Sequence, residues 1–415
     1  MTPPLPPPVE TVRTPDALPV SGLGAAVACP LSAALPGPGV EPLPTHPRAV
    51  YGGVLHGLYE AAVRGEVEPG PGFPDRMHAE LDRRVARLPA DVPPPEAVYG
   101  YVDWLQRASD VVARSRLRAE EAWTGEGGGT PDRRPTPGAR TASAPAAPAP
   151  EPPFVRRTRG RWTELPLTSP ALGVRGRADL VERDGRRIVV TDLKTGSLGG
   201  TAAGDAALQL RAYGLVVLEW VPDAEVHLAV EAASVEPVPF GPADRDAARQ
   251  ALADLARRLP PGETARAADL ARPGAACRFC AVRHRCLAYR AAAPRWWRDG
   301  TDHPAPVDVW GRVESVQPAP RGVALALRDA AGRLAHVARL RPGYADGVRP
   351  GDAFHAFGLR GRPGRTDDGL ALAPTRYHDL DADGAVGAWT LATFASRPQG
   401  GDADGPTLPA PPPTP

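Results

Sequence analysis

Residues 161 to 168, 172 to 182 and 186 to 194 carry the apolar alternation of strands, with an Arg183-Asp184-Gly185-Arg186 turn between the last two. Helical spacing follows at 205 to 220, strand patterning near 224 to 231 and 234 to 240, and a further helix at 242 to 259. Strands, then a crossover helix, then another strand form an α/β order: a hairpin-rich sheet followed by a crossover helix and a further strand. Upstream the period is helical throughout. Residues 48 to 64 place Val54, Leu55, Leu58, Tyr59 and Ala62 on or beside one stripe, and 75 to 88 and 95 to 123 continue the pattern.

Composition sets the boundaries. The 53 prolines and 44 glycines gather at 1 to 20, 125 to 153 and 396 to 415, where no apolar period survives, so these stretches are expected to be disordered. Between them lie a helical part at 21 to 124 and a core at 154 to 292. A third unit at 303 to 380 shows five β-like runs at about 307 to 317, 321 to 328, 332 to 340, 353 to 360 and 369 to 376. Five short strands suggest a small barrel like an OB-fold, although the link between the third and fourth is too short for the helix many such barrels carry. Met1 to Glu10 has neither a positive start nor an apolar run, and no 18-residue apolar stretch occurs, so a cytoplasmic protein with no membrane partner is expected.

The net charge of +1 gives no global nucleic-acid signature, although Arg156, Arg157, Arg159 and Arg161 form a local run. Of the 49 basic residues only Lys194 is a lysine. A chain so biased towards arginine that keeps one lysine suggests a position needing an amine rather than a guanidinium.

Lys194 stands in Asp192-Leu193-Lys194-Thr195-Gly196, preceded by Gly176-Arg177-Ala178-Asp179 and followed by Gln209-Leu210-Arg211-Ala212-Tyr213. Two residues apart on one strand, Asp192 and Lys194 leave the same face. Gln209 and Tyr213, four apart on a helix, share a face as well. Carboxylates on neighbouring strands suit a hard divalent cation such as Mg²⁺, which phosphodiester hydrolysis needs to activate water and to neutralise charge on the phosphate. Singly, each residue has an ordinary reading: strand-end acids, a solvated lysine, a core tyrosine.

Taken together, the three motifs resemble the G-x-x-D, D-x-K-T-G and Q-x-x-x-Y series of RecB-like PD-(D/E)XK nucleases. The resemblance covers about residues 20 to 290 and implies an α/β, restriction-endonuclease-like core with N-terminal helices, to which the small all-β, OB-like barrel is appended. It implies Asp179 and Asp192 as Mg²⁺ or Mn²⁺ ligands, Lys194 as the group assisting water, and Gln209 and Tyr213 as residues shaping the site. His56, in Gly52-Gly53-Val54-Leu55-His56-Gly57, resembles the family's helical metal-binding histidine; the alternative is a histidine on a helix surface.

All four cysteines fall into one pattern, Cys29-Pro30 near the start and Cys277-x2-Cys280-x5-Cys286 after the core. In a reducing compartment four thiols are more plausible as metal ligands than as disulfides. The split spacing looks like that of the iron-sulfur RecB-like nucleases, of the AddB type and the CRISPR-associated exonucleases, and implies a [4Fe-4S] cluster; four thiolates also suit Zn²⁺. Leu31-Ser32-Ala33-Ala34 depart from the aromatic and basic residues that usually follow the first cysteine.

The expected activity is a metal-dependent deoxyribonuclease, an exonuclease before an endonuclease, acting on single strands or ends in repair, recombination or defence. No G-x-x-x-x-G-K-[ST] loop is present, so a helicase would be a separate partner. Trp296, Trp297 and Trp310 could stack on bases or pack an interface. The rival readings are a catalytically silent DNA-end-binding scaffold and a zinc-stabilised interaction protein.

Overall fold

The computed structural model describes residues 1–35, 37, 39–67, 72–121, 151–194, 201–232, 234–292, 307–319, 322–330, 332, 334–362, 377–381 and 390–398. Its mixed α/β chain opens with β1 (Thr11–Arg13) and β2 (Leu18–Pro19), then α1 (Leu23–Ala28) and α2 (Leu31–Ala34). The helical stretch comprises α3 (Pro47–Val63), α4 (Phe73–Val85), α5 (Pro95–Tyr99) and α6 (Tyr101–Glu121). A short α7 (Pro153–Arg156) leads into β3 (Arg159–Ser169), β4 (Val174–Asp184) and β5 (Arg187–Leu193). There follow α8 (Thr201–Trp220), β6 (Glu225–Glu231), β7 (Val235–Val238), α9 (Pro242–Arg258), β8 (Thr264–Arg266) and α10 (Ala267–Leu270). The C-terminal strands are β9 (Val307–Ala319), β10 (Gly322–Arg328), β11 (Leu334–Leu340), β12 (Ala353–Arg362), β13 (Tyr377–Asp381) and β14 (Ala392–Ser396).

The central sheet runs β2-β4-β5-β6-β7, with β3 paired antiparallel to β4 off this path. Strands β5 and β6 are parallel, joined by the crossover helix α8, as the sequence order requires. Ile188, Val190 and Val181 are fully buried in one cluster with Leu210, Val216 and Val217 of α8 and Leu252 and Leu255 of α9. Each such side chain contributes about 1.5–3 kcal/mol. Leu180 and Leu193 join a second cluster with Leu55 and Leu58 of α3 and Trp104 and Ala108 of α6. Residues of β4 and β5 are therefore clamped by helices from both parts of the chain.

Two expectations need revision. The single helix at 95 to 123 is broken at Gly100, whose φ of 83° suits glycine and ends α5, its N–H donating to the Glu96 carbonyl at 2.9 Å. Residues 1 to 20 are not loose: β1 pairs with β8, and β2 runs parallel to β4. A proline-rich segment shows no apolar period, yet its carbonyls can still be bound, as when Arg285 Nε donates to the Pro7 carbonyl at 2.7 Å. The β-like run at 369 to 376 lies outside the described residues; β13 comes later, and β14 has no counterpart in the sequence reading. The expected disordered stretches at 125 to 153 and 396 to 415 fall mostly outside the described residues too.

The C-terminal strands form a sheet of order β13-β11-β10-β9-β12-β14, with β13 also pairing β12. Its core holds Val309, Leu327, Val337, Leu340, Phe354 and Leu359. No helix among the described residues is long and apolar enough to cross a membrane.

Candidate active site

Strand register puts three acids in one row. Thr163 faces Leu180 and Leu165 faces Ala178, so Glu164 and Asp179 occupy facing positions of β3 and β4. Leu180 faces Thr191, so the next position of the β4/β5 pair sets Asp179 against Asp192. Carboxylates facing one another across strands repel and gain nothing for the sheet. The ladder gives way at this row. Glu164 takes a left-handed φ of 51°, and the Leu193 N–H donates to Asp179 Oδ2 at 2.7 Å in place of a strand partner. A non-glycine residue rarely adopts this region of backbone space, and its surroundings must hold it there.

His56 reaches the row from α3, its Nδ1 3.7 Å from Asp179 Oδ2. The ligand atoms of His56, Glu164 and Asp179 all lie within 4.8 Å of one another. Burial lowers the pKa of His56, an effect partly opposed by Asp192 and reinforced by Lys194, which favours the neutral imidazole that can bind a metal. Burial, reinforced by Asp192 and Glu164, pushes Asp179 up to about 7. A half-buried, mutually repelling carboxylate set beside a neutral imidazole is a donor set that fits a divalent cation.

Asp192 is adjacent but engaged differently. Its Oδ1 accepts from Gln209 Nε2 at 2.7 Å, and its Oδ2 lies 2.8 Å from Lys194 Nζ. Gln209 thus orients a carboxylate from the facing helix. Tyr213, expected to line the site, instead grips backbone: its hydroxyl donates to the Arg177 carbonyl at 2.8 Å and accepts from the Arg177 N–H at 2.9 Å. That explains the glycine of Gly176-Arg177-Ala178-Asp179, since a Cβ at Gly176 would lie 2.6 Å from Tyr213 Oη and 2.9 Å from Val20 Cβ. The two motifs are halves of one contact that fixes β4 two residues before Asp179. Gly176→Ala is expected to weaken folding by about 1–3 kcal/mol through overpacking, measured by urea unfolding; a change below 0.5 kcal/mol would remove this account.

Glu164 was not singled out from the sequence. The signal available was an acid inside the strand pattern 161 to 168, a type of position that also occurs on any solvated strand face. Thr195 and Gly196 lie outside the described residues.

The arginine run is neutralised locally: Arg159 bonds Asp184 at 2.8 Å and Arg161 bonds Glu182 at 2.6 Å, each across the β3/β4 ladder, and Arg156 pairs with Glu151. Trp310 packs against Tyr289, His355 and Phe357 rather than standing free to stack; Trp296 and Trp297 lie outside the described residues.

The four cysteines are free thiols gathered in one place, close enough for Cys29, Cys280 and Cys286 to act electrostatically on Cys277. Backbone N–H groups are aimed at three sulfurs: Arg272 to Cys29 at 3.4 Å, Gly274 to Cys277 at 3.5 Å and Tyr289 to Cys286 at 3.4 Å. N–H donors of this kind support thiolate ligands. Burial pushes Cys277 up to about 11 and raises Cys280 and Cys286, so taking up a metal there would release protons. His284 stacks on Phe394 instead, at 5.9 Å and 4°.

The raised Asp179 has a consequence for the metal-free protein. Between about pH 4 and 7 the folded carboxyl holds a proton that the unfolded one has lost, so this group's contribution to stability falls as pH rises through that window. Asp179→Asn, which removes the charge, is therefore expected to raise the melting temperature in EDTA at pH 8 by several degrees and to leave it unchanged at pH 4. Equal melting at pH 8 would contradict the burial and carboxylate repulsion that raise Asp179.

No curated protein matches the chain. A family model, the PD-(D/E)XK nuclease superfamily, matches residues 17–287, a span that runs from just before β2 to just past Cys286 and takes in the whole acid row. Members of that superfamily are nucleases that use divalent metals, which agrees with the donor set of the row. The chain belongs to the PD-(D/E)XK nuclease superfamily.

Proposed function

We propose that this protein is a RecB-like deoxyribonuclease that hydrolyses phosphodiester bonds at ends or on single strands. The observation that carries the reading is the row Glu164, Asp179, Asp192 with His56 and Lys194 converging on it. His56, Asp179 and Asp192 would hold Mg²⁺ or Mn²⁺, with Glu164 as an additional oxygen donor. The cation, when bound, supplies Lewis-acid activation of water and neutralises charge on the phosphate. Gln209 keeps Asp192 oriented, and Tyr213 keeps β4 in place, so neither needs to touch DNA. Lys194 Nζ, tethered to Asp192 at 2.8 Å, would orient the attacking water and offset negative charge.

The four cysteines would hold a [4Fe-4S] cluster, a reading supported by their gathering and by the N–H donors aimed at their sulfurs; a zinc ion is the other occupant their chemistry admits. The C-terminal sheet is read as an OB-like barrel, which the pairing of β13 with both β11 and β12 supports. An exonuclease working with a separate helicase, in repair, recombination or defence, is the physiological reading.

The test is cleavage of end-labelled single- and double-stranded DNA by anaerobically purified full-length protein. Cutting that needs Mg²⁺ or Mn²⁺ and stops in EDTA is expected. DNA binding without cutting in either metal would defeat the proposal. Iron, sulfide and zinc contents of the same sample read the cysteine assignment separately.

A further inference from the structure

The segment that carries three of the cysteines has little structure of its own. It consists of two 3-10 turns, Ala275–Phe279 and Arg283–Arg285, closed by bonds such as Cys280 N–H to the Cys277 carbonyl at 3.0 Å and Cys286 N–H to the Arg283 carbonyl at 3.1 Å. Turns this short are not self-sustaining. Yet from this segment a buried arginine reaches into another part of the molecule. Arg283 Nε donates to Asp308 Oδ2 at 2.5 Å and Nη2 to Oδ1 at 3.0 Å, while Nη1 returns to the Cys280 carbonyl at 3.1 Å. Both side chains of the pair are almost fully buried, at 8% and 1% exposure.

Asp308 belongs to β9, and the Gly358 N–H of β12 donates to its Oδ1 at 2.7 Å. The Tyr289 hydroxyl, three residues beyond Cys286, donates to Oδ2 at 2.5 Å. Apolar packing follows the same line, since Cys277, Tyr289, Phe357 and Leu43 share a cluster with Cys286 and Phe394 at its edge.

The N-terminal segment joins the same seam. Thr2 N–H donates to the Asp346 carbonyl at 3.1 Å, and Ala395 N–H donates to the Pro3 carbonyl at 2.8 Å. Arg290 Nη2 then binds the Pro6 carbonyl at 3.1 Å, Arg285 Nε binds that of Pro7, and β1 pairs with β8. The strap therefore touches the C-terminal sheet, the cysteine segment and the nuclease core in turn. Arg283 is thus spent on a buried carboxylate, and Arg285 and Arg290 on carbonyls of the N-terminal strap.

We propose that the cysteine centre is the latch of the C-terminal sheet. The group held by Cys29, Cys277, Cys280 and Cys286 fixes the segment in the shape in which Arg283 meets Asp308, so its loss releases the sheet and the N-terminal strap together. This rests on the reading that the cysteines hold a metal or cluster. A bidentate buried pair tolerates little displacement, and a charge left without its partner in the seam favours opening over staying docked. The coupling is reciprocal: the factor by which loss of the group weakens docking is the factor by which loss of docking weakens the affinity for the group.

The experiment is hydrogen exchange followed by mass spectrometry on the full chain, before and after the group is stripped by oxidant and chelator, with Mg²⁺ then restored. Exchange at 307–328 and 2–13 is expected to rise at least tenfold on stripping, with β4 and β5 unchanged. Asp308→Asn and the milder Arg283→Lys are expected to release the group to chelator about tenfold faster, as read by absorbance or metal-indicator dye. Metal present in the purified protein with unchanged exchange after stripping, or release from both variants at the wild-type rate, overturns the latch alone. Purified protein with neither iron nor zinc defeats the cysteine reading, and the latch with it, while leaving the nuclease assay unaffected.

Discussion

Lys194→Ala is expected to lower the single-turnover rate of DNA cleavage by about 10²–10³-fold, the usual consequence of removing one preorganised donor from a site where charge develops. Affinity for Mn²⁺, measured by titration calorimetry, should stay the same or tighten slightly, because a positive charge 2.8 Å from Asp192 is lost. Asp192→Ala should instead lose rate and metal affinity together. Lys194→Arg is expected to rescue little: a planar guanidinium does not match a compact ammonium that bonds the buried Asp192 carboxylate and, in the proposed role, would also orient water. The chain's single lysine gives this comparison its edge, since arginine is used at its other basic positions. A Lys194→Ala protein that cuts within threefold of wild type would remove the amine from the mechanism.

The second large effect belongs to the seam. Arg283→Ala leaves the Asp308 carboxylate buried with only Tyr289 and Gly358 donating to it, and breaking a buried pair in this way costs about 3–5 kcal/mol. At about 4–8 °C per kcal/mol for a unit of under 100 residues, melting of the C-terminal part should fall by at least about 12 °C. Replacing both partners by leucine should recover part of the loss, because the uncompensated charge goes with its partner. Differential scanning calorimetry of the three variants checks the ordering; a loss below 1 kcal/mol for Arg283→Ala would mean that water reaches Asp308 and the seam is open.

Much of the candidate site was legible in one dimension. Asp192 and Lys194 were two apart on a strand, Gln209 and Tyr213 four apart on a helix, and periodicity placed both elements to within a few residues. What each residue touches was not. Tyr213 was expected at the site and instead holds the Arg177 backbone, because a phenol can reach that strand only where Gly176 leaves room. Glu164 enters only through register, which spacing along a single strand does not contain.

The sequence by itself determined the α/β order, the residue types able to hold a hard cation and the local Cys277-x2-Cys280-x5-Cys286 spacing, since these depend on local period and on donor chemistry. Tertiary structure alone decided that Glu164, Asp179 and Asp192 stand in one row, that the proline-rich start is a strap, and that Arg283 is buried on Asp308. Each of these rests on partners far apart in the chain, and the cost of burying a carboxylate or a guanidinium is decided by the partner it meets, not by its neighbours in sequence.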